Sequence, residues 1–180
     1  GGGILHMLGG HYLELMRYLV GVEVRAVQAM TARPVGYIDE PLEDVAVAAL
    51  EYDDGTLGSI HAGYLQPPGT GGYHSALTLW GMDGFAAWPQ LGATELTVMS
   101  SAPAWAGAPK RTFHYELKPY EGYGGNLWFM VMLQDFVDAV RTGSRPAVTA
   151  EDGWRVLRVI DAVYESARSG RRVEVNYDLV

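Results

Sequence analysis

Apolar residues at Leu5, Leu8, Tyr12, Leu15, Met16 and Leu19 recur every three or four positions, the period of one buried helical stripe. The pattern predicts a helix over residues 4–20, stopped by Gly21, where a residue without Cβ enters the left-handed region easily. Gly9 and Gly10 interrupt it at about 1 kcal/mol each relative to alanine, so tight packing or a ligand close to the backbone is expected to compensate. From residue 22 to about residue 99 the pattern changes to short β-rich segments. Residues 22–27 alternate at period two, and residues 44–50 and 56–60 flank Asp53-Asp54-Gly55, a turn that joins hairpin strands. Residues 76–80 and 85–88 flank Gly81-Met82-Asp83-Gly84 as a second hairpin. Further strands are expected over 94–99 and 111–117, separated by a surface loop rich in Pro, Ala and Gly over 100–110.

Helical spacing then returns. Leu127, Met130, Val131, Gln134, Val137 and Val140 share one face, with Gly143 as the stop. Trp154, Leu157, Ile160, Val163, Tyr164 and Ala167 share another, opened by Thr149 and Asp152 in capping-box spacing and closed by Gly170. Residues 172–176 alternate as a last strand. A helix, a run of hairpin strands and two more helices imply an α+β domain, with an open, predominantly antiparallel sheet and helices packed on one face. No helix remains for the other face, so a second subunit is expected to cover it and the protein to be a homo-oligomer.

A length of 180 residues fits a single domain spanning 1–180. The 23 glycines are about twice the average share, and they cluster at 1–3, 69–72 and 122–125, as loops or close backbone approaches would. A formal charge of −8 would repel a phosphate backbone, which argues against nucleic acid. Arg168, Arg171 and Arg172 stand at a helix C-terminus, where cations complement exposed carbonyls. The absence of cysteine precludes disulfides and thiolate metal sites and suits a reducing cytoplasm. No apolar run reaches the roughly 20 residues of a membrane span. A chain opening on Gly-Gly-Gly without methionine is expected to be part of something longer.

Among five histidines, His11 is the candidate for chemistry. It follows Gly9-Gly10, lies on the same helical face as Met7 and can exchange a proton near neutral pH. The alternative is a packed histidine bonded to a carbonyl. Metal binding is disfavoured, because His6 and His11 are five apart and point about 500° around the axis rather than to one ligand point. Nucleophilic chemistry lacks a cysteine or a Gly-x-Ser-x-Gly elbow. Gly69-Thr70-Gly71-Gly72 is not followed by the Lys-Ser/Thr of a phosphate loop, and no Gly-x-Gly-x-x-Gly follows a strand. The chain alone is therefore not expected to hold a dinucleotide.

The opening, Gly1-Gly2-Gly3-Ile4-Leu5-His6-Met7-Leu8-Gly9-Gly10-His11-Tyr12, resembles the central helix of the Gfo/Idh/MocA family, the glucose-fructose oxidoreductase and inositol dehydrogenase group. Glu43-Asp44-Val45-Ala46, Gly55-Thr56-Leu57-Gly58, Gly81-Met82-Asp83-Gly84 and the stretch from Pro146 to Gly153 resemble that family's C-terminal domain. The resemblance implies a substrate-binding and oligomerisation domain whose N-terminal Rossmann partner, absent from this chain, holds NAD or NADP. It implies that His11 transfers the proton of the hydroxyl being oxidised on a sugar, polyol or related secondary alcohol, with a lysine of the nucleotide domain. Met7 stands where the family usually has aspartate and can neither orient an imidazole nor bind a sugar hydroxyl as that aspartate would. Met7, Arg33, Tyr123 and Asn126 are the expected substrate contacts. Two other outcomes are open on this scaffold: a non-catalytic ligand-binding or regulatory protein, and an NAD-dependent glycosidase.

Overall fold

A computed structural model of the protein describes residues 2–34, 36, 39–64, 75–89, 94–115 and 127–178. It contains two compact units, Gly1–Pro67 with Arg145–Val180, and Pro68–Ser144. The α+β class and the antiparallel pairing follow the sequence expectation, with the strands divided between two sheets of four.

The first unit opens with a π-helical segment, Leu5–Gly9, that runs into α1, Gly10–Val20. The Gly10 N–H reaches back to Leu5 O, and the extra residue in that turn rotates the stripe. The most buried positions are Leu5, Gly9, Leu13 and Met16, shifted from the Leu8 and Tyr12 that a regular period selects. Gly21 ends α1 at φ 81°, its N–H donating to Arg17 O.

Strands β1 (Val24–Ala32), β2 (Val45–Tyr52) and β3 (Leu57–Gly63) follow, joined by the Asp53-Asp54-Gly55 turn between β2 and β3. Strand β1 pairs with β2 on one side and, through Ala26 and Val27, with the short C-terminal strand, Val173–Glu174. A bulge at Arg25, between the pairs Val24↔Tyr52 and Ala26↔Glu51, keeps Val24, Val27 and Ala29 all on the inner face. Across that face Val27 opposes Leu50 and Ala29 opposes Ala48. Beyond the short strand, Ser166 takes over the edge, its Oγ accepting the Ala29 N–H at 2.9 Å while its hydroxyl donates to Arg171 O. The outer face carries Gln28, Ala49 and Ser59 in one row and Met30, Val47 and His61 in the next.

In the second unit, β4 (Leu77–Gly81), β5 (Gly84–Trp88), β6 (Glu95–Ser100) and β7 (Lys110–His114) pair in order, all antiparallel. Arg111 stacks over the Trp105 ring at 4.0 Å in the connection between β6 and β7. Helix α2, Leu127–Thr142, belongs to this unit. Among its described residues only Ala139 is buried.

Helix α3, Ala150–Ser169, returns to the first unit and buries Val156, Val159, Ile160 and Val163, packing on β1 and α1. Its capping box is complete. The Asp152 N–H donates to Thr149 Oγ1, and the Thr149 N–H donates to Asp152 Oδ2 at 2.8 Å. Arg17 ties this corner together, reaching Asp152 at 2.5 Å, Glu23 at 2.7 Å and Glu14 at 3.0 Å. At the other end of α3, Arg172 pairs with Glu51 and Glu174, a more specific role than complementing helix carbonyls. No described helix is long and apolar enough to cross a membrane.

The corner predicts an acid response. Hydrogen bonds from the Thr149 hydroxyl and N–H, and then from Arg17, hold the Asp152 carboxyl at about 2, below its ordinary 3.8. A carboxyl depressed in the folded state contributes stability above its unfolded pKa and loses it as pH falls through the folded value, here between about pH 4 and pH 2. Solvent screening around this carboxyl keeps the contribution to about 1 kcal/mol. Urea denaturation at stepped pH should give Asp152→Asn a flatter acid limb than the wild type. Parallel limbs would show that Asp152 contributes nothing to acid sensitivity.

Candidate functional site

The first turn of the helical segment is fixed by one acidic side chain. Glu43, just before β2, is 7% exposed, yet its carboxylate accepts the Gly3 N–H on Oε2 and the Leu5 N–H on Oε1, both at 3.0 Å. The Tyr164 hydroxyl of α3 donates to the same Oε1 at 2.9 Å, and the Ile4 N–H donates to Glu43 O. Four donors from two distant segments thus converge on one residue, satisfying helix N–H groups that have no partner within the helix. Burial, and then the bond to Glu43, push the Tyr164 hydroxyl above its usual pKa, which keeps it a donor. Gly3 is required here, because a Cβ on it would stand 2.1 Å from Glu43 O.

Asp44 is fully buried beside it, and Oδ2 accepts the Gly36 N–H at 2.6 Å. Its N–H donates to Ala32 O, and its carbonyl accepts the Tyr64 N–H. The end of β1, the start of β2, the end of β3 and the start of the helix therefore share one edge of the first sheet.

On this edge Met7 is 62% exposed, and the Tyr64 hydroxyl donates to its Sδ at 2.9 Å. His11 is exposed four residues further on, on the same helix face. The packed-histidine alternative is thereby set aside. The π-helical segment that carries Met7 ends two residues before His11, a distortion that recurs at functional sites. A Cβ on Gly9 would stand 2.8 Å from Leu5 Cδ1, whereas one on Gly10 would meet Ile160 Cδ1 at 3.5 Å, an ordinary contact. Arg33 follows the last residue of β1 on the same edge, is exposed, and pairs with Glu40 at 3.3 Å. Tyr123 and Asn126 lie outside the described residues, as do His74 and the loop 69–72. Of the remaining histidines, His6 and His61 are exposed and His114 pairs with Glu95.

Glu43 and Tyr64 join the site without a role legible in the sequence. The only local signal for Glu43 was an acidic pair preceding an apolar strand. For Tyr64, hairpin pairing carries the chain back to Asp44, but nothing in the sequence places Met7 there.

Every strand pair among the described residues is antiparallel, so they supply no parallel strand–helix–strand crossover of the kind that cradles a dinucleotide. No group of three or more His, Cys, Asp or Glu among them could hold a metal ion.

The family model described as "Oxidoreductase family, C-terminal alpha/beta domain", that of the Gfo/Idh/MocA group, matches residues 1–175. D-apiose dehydrogenase of Rhizobium rhizogenes is 24% identical over 184 residues, covering 96% of this chain and 48% of that protein. D-xylose 1-dehydrogenase (NADP(+)) 2 of Haloferax volcanii is 46% identical over 44 residues, 24% of this chain and 14% of its own length. Among solved structures, levoglucosan dehydrogenase in complex with NADH and levoglucosan superposes with a TM-score of 0.83 at 21% identity, over 98% of this chain and 51% of that one. Aldose-aldose oxidoreductase from Caulobacter crescentus complexed with glycerol gives 0.74 at 24% identity, over 96% and 48%. These two likenesses are likenesses of fold. The chain spans about half the length of D-apiose dehydrogenase and of the matched structures.

Proposed function

The chain belongs to the Gfo/Idh/MocA oxidoreductase family as its C-terminal alpha/beta domain, and from that premise we propose that residues 1–180 form the substrate-binding and oligomerisation domain of an NAD(P)-dependent dehydrogenase. The substrate class is a sugar, polyol or related secondary alcohol, the chemistry named for the similar D-apiose and D-xylose dehydrogenases. The dinucleotide is held by a part of the parent outside this chain and supplies the hydride acceptor. This chain supplies the imidazole of His11, which takes the proton of the substrate hydroxyl as the carbonyl forms. The carrying observation is that His11 stands exposed, one turn from Met7, on a helix clamped at its start by Glu43. Arg33 shares the sheet edge where the helix begins and is proposed, with Met7, as a substrate contact; Tyr123 and Asn126 are proposed as such from their place in the sequence at the glycine-rich stretch 122–125. A chain without cysteine suits the reducing cytoplasm we propose for it.

Steady-state reduction of NAD+ and NADP+ by the full-length parent, over a panel of aldoses and polyols, tests this reading. Turnover that depends on His11 supports it. Sugar binding without any dinucleotide reduction would instead make the parent a ligand-binding protein, and release of a labelled aglycone without net reduction would make it a glycosidase.

For oligomerisation we propose the outer face of the first sheet, where Met30, 74% exposed, lies in one row with Val47, and Leu57, 78% exposed, lies two rows away on the same face. Val47→Lys, central in its row, should shift the parent from oligomer to a smaller species in analytical ultracentrifugation. An unchanged sedimentation profile would move the interface elsewhere.

A further inference from the structure

Met7 and Tyr64 are 57 residues apart in the chain and meet because the end of β3 packs against the π-helical segment. The contact has a direction: the Tyr64 hydroxyl donates and the Met7 sulfur accepts. Met7 keeps most of its surface open beside His11, at about 6 Å of axial rise along one helix face. A thioether donates nothing and accepts weakly, and the rest of that side chain is CH2 and CH3. A substrate hydroxyl laid against it would exchange water for no comparable partner, whereas a C–H or methyl group would lose nothing.

We propose that Met7 and Tyr64 determine specificity at the His11 site, selecting alcohols whose carbon next to the reacting carbinol bears hydrogen or methyl rather than hydroxyl, that is, deoxy sugars or deoxy polyols. This inference rests on the proposed role of His11. Tyr64 holds the sulfur turned aside, and the thioether carbons form the wall the substrate meets.

The test uses the full-length parent and two probe pairs, D-glucose with 2-deoxy-D-glucose and D-galactose with 2-deoxy-D-galactose, in which C2 neighbours the oxidised C1. Two readouts are taken: kcat/KM for dinucleotide reduction and Kd by titration calorimetry. The wild type should favour the deoxy member by roughly 10- to 100-fold in kcat/KM, the range a small apolar contact discriminates. Met7→Asp, at an exposed position that tolerates the change, should abolish or reverse that preference in both readouts. Tyr64→Phe should narrow it several-fold by freeing the thioether. A wild type that prefers the hydroxylated member, a Met7→Asp ratio equal to wild type, or binding of neither member would each overturn the proposal. Full turnover by His11→Ala alongside a shifted Met7→Asp ratio would instead remove the proton-transfer role and leave the specificity intact.

Discussion

In the full-length parent, His11→Ala should lower kcat for alcohol oxidation by about 10²- to 10⁴-fold, the usual contribution of a positioned acid–base group. The hydroxyl proton must leave as the carbonyl forms, and without an acceptor at hydrogen-bond distance that proton passes to water. Because this loss is confined to the transition state, kcat and kcat/KM should fall together while KM changes little. The stability of the variant separates chemistry from folding. The imidazole is exposed, so its truncation should change the unfolding free energy by no more than about 0.5 kcal/mol. Binding of the sugar, measured by calorimetry, should persist within a few-fold. Wild-type turnover in His11→Ala, with the fold intact, would end the assignment of this residue as the proton-transfer group.

The sequence carried the local half of this architecture. Gly21 and Gly170 end their helices in the left-handed region, Asp53-Asp54-Gly55 turns its hairpin, and Thr149 with Asp152 closes a complete capping box. Each of these is decided by residues within four positions of one another, which is why a one-dimensional reading finds them. Where an extra residue enters an element, periodicity misleads. The π-helical turn slides the buried stripe to Gly9 and Leu13, and the bulge at Arg25 brings Val27 to the inner face. The candidate site was half legible in the same sense. His11 is marked by its own neighbours and by family resemblance. The Glu43 clamp, the Tyr64–Met7 contact and the Arg17–Asp152 pair join residues 40, 57 and 135 positions apart. Such separations leave no periodic trace, because which donor meets which acceptor is settled by sheet register and helix docking.

The second large effect follows from the first of these contacts, the Glu43 clamp. Glu43→Ala should destabilise the parent by roughly 3 kcal/mol or more, because it strands buried donors rather than merely deleting a bond. The Gly3 and Leu5 N–H groups lie at the helix start with no intrahelical acceptor, and the Tyr164 hydroxyl loses its hydrogen bond to the carboxylate. The backbone bond from Ile4 N–H to Glu43 O survives the change, so the segment should loosen at its side-chain anchor and not detach. Glu43→Gln keeps the shape and one acceptor, yet turns an amide NH2 toward a backbone N–H, and should lie between wild type and alanine. Tyr164→Phe removes a single donor and leaves the carboxylate with two, at about 1 kcal/mol. Urea denaturation of the three variants should therefore rank Glu43→Ala as most damaging, then Glu43→Gln, then Tyr164→Phe. Since His11 sits on the helix this anchor holds, kcat should decline in the same order at temperatures where all three remain folded. Equal stability of Glu43→Ala and wild type would mean that the helix start is held by its backbone bonds and packing alone.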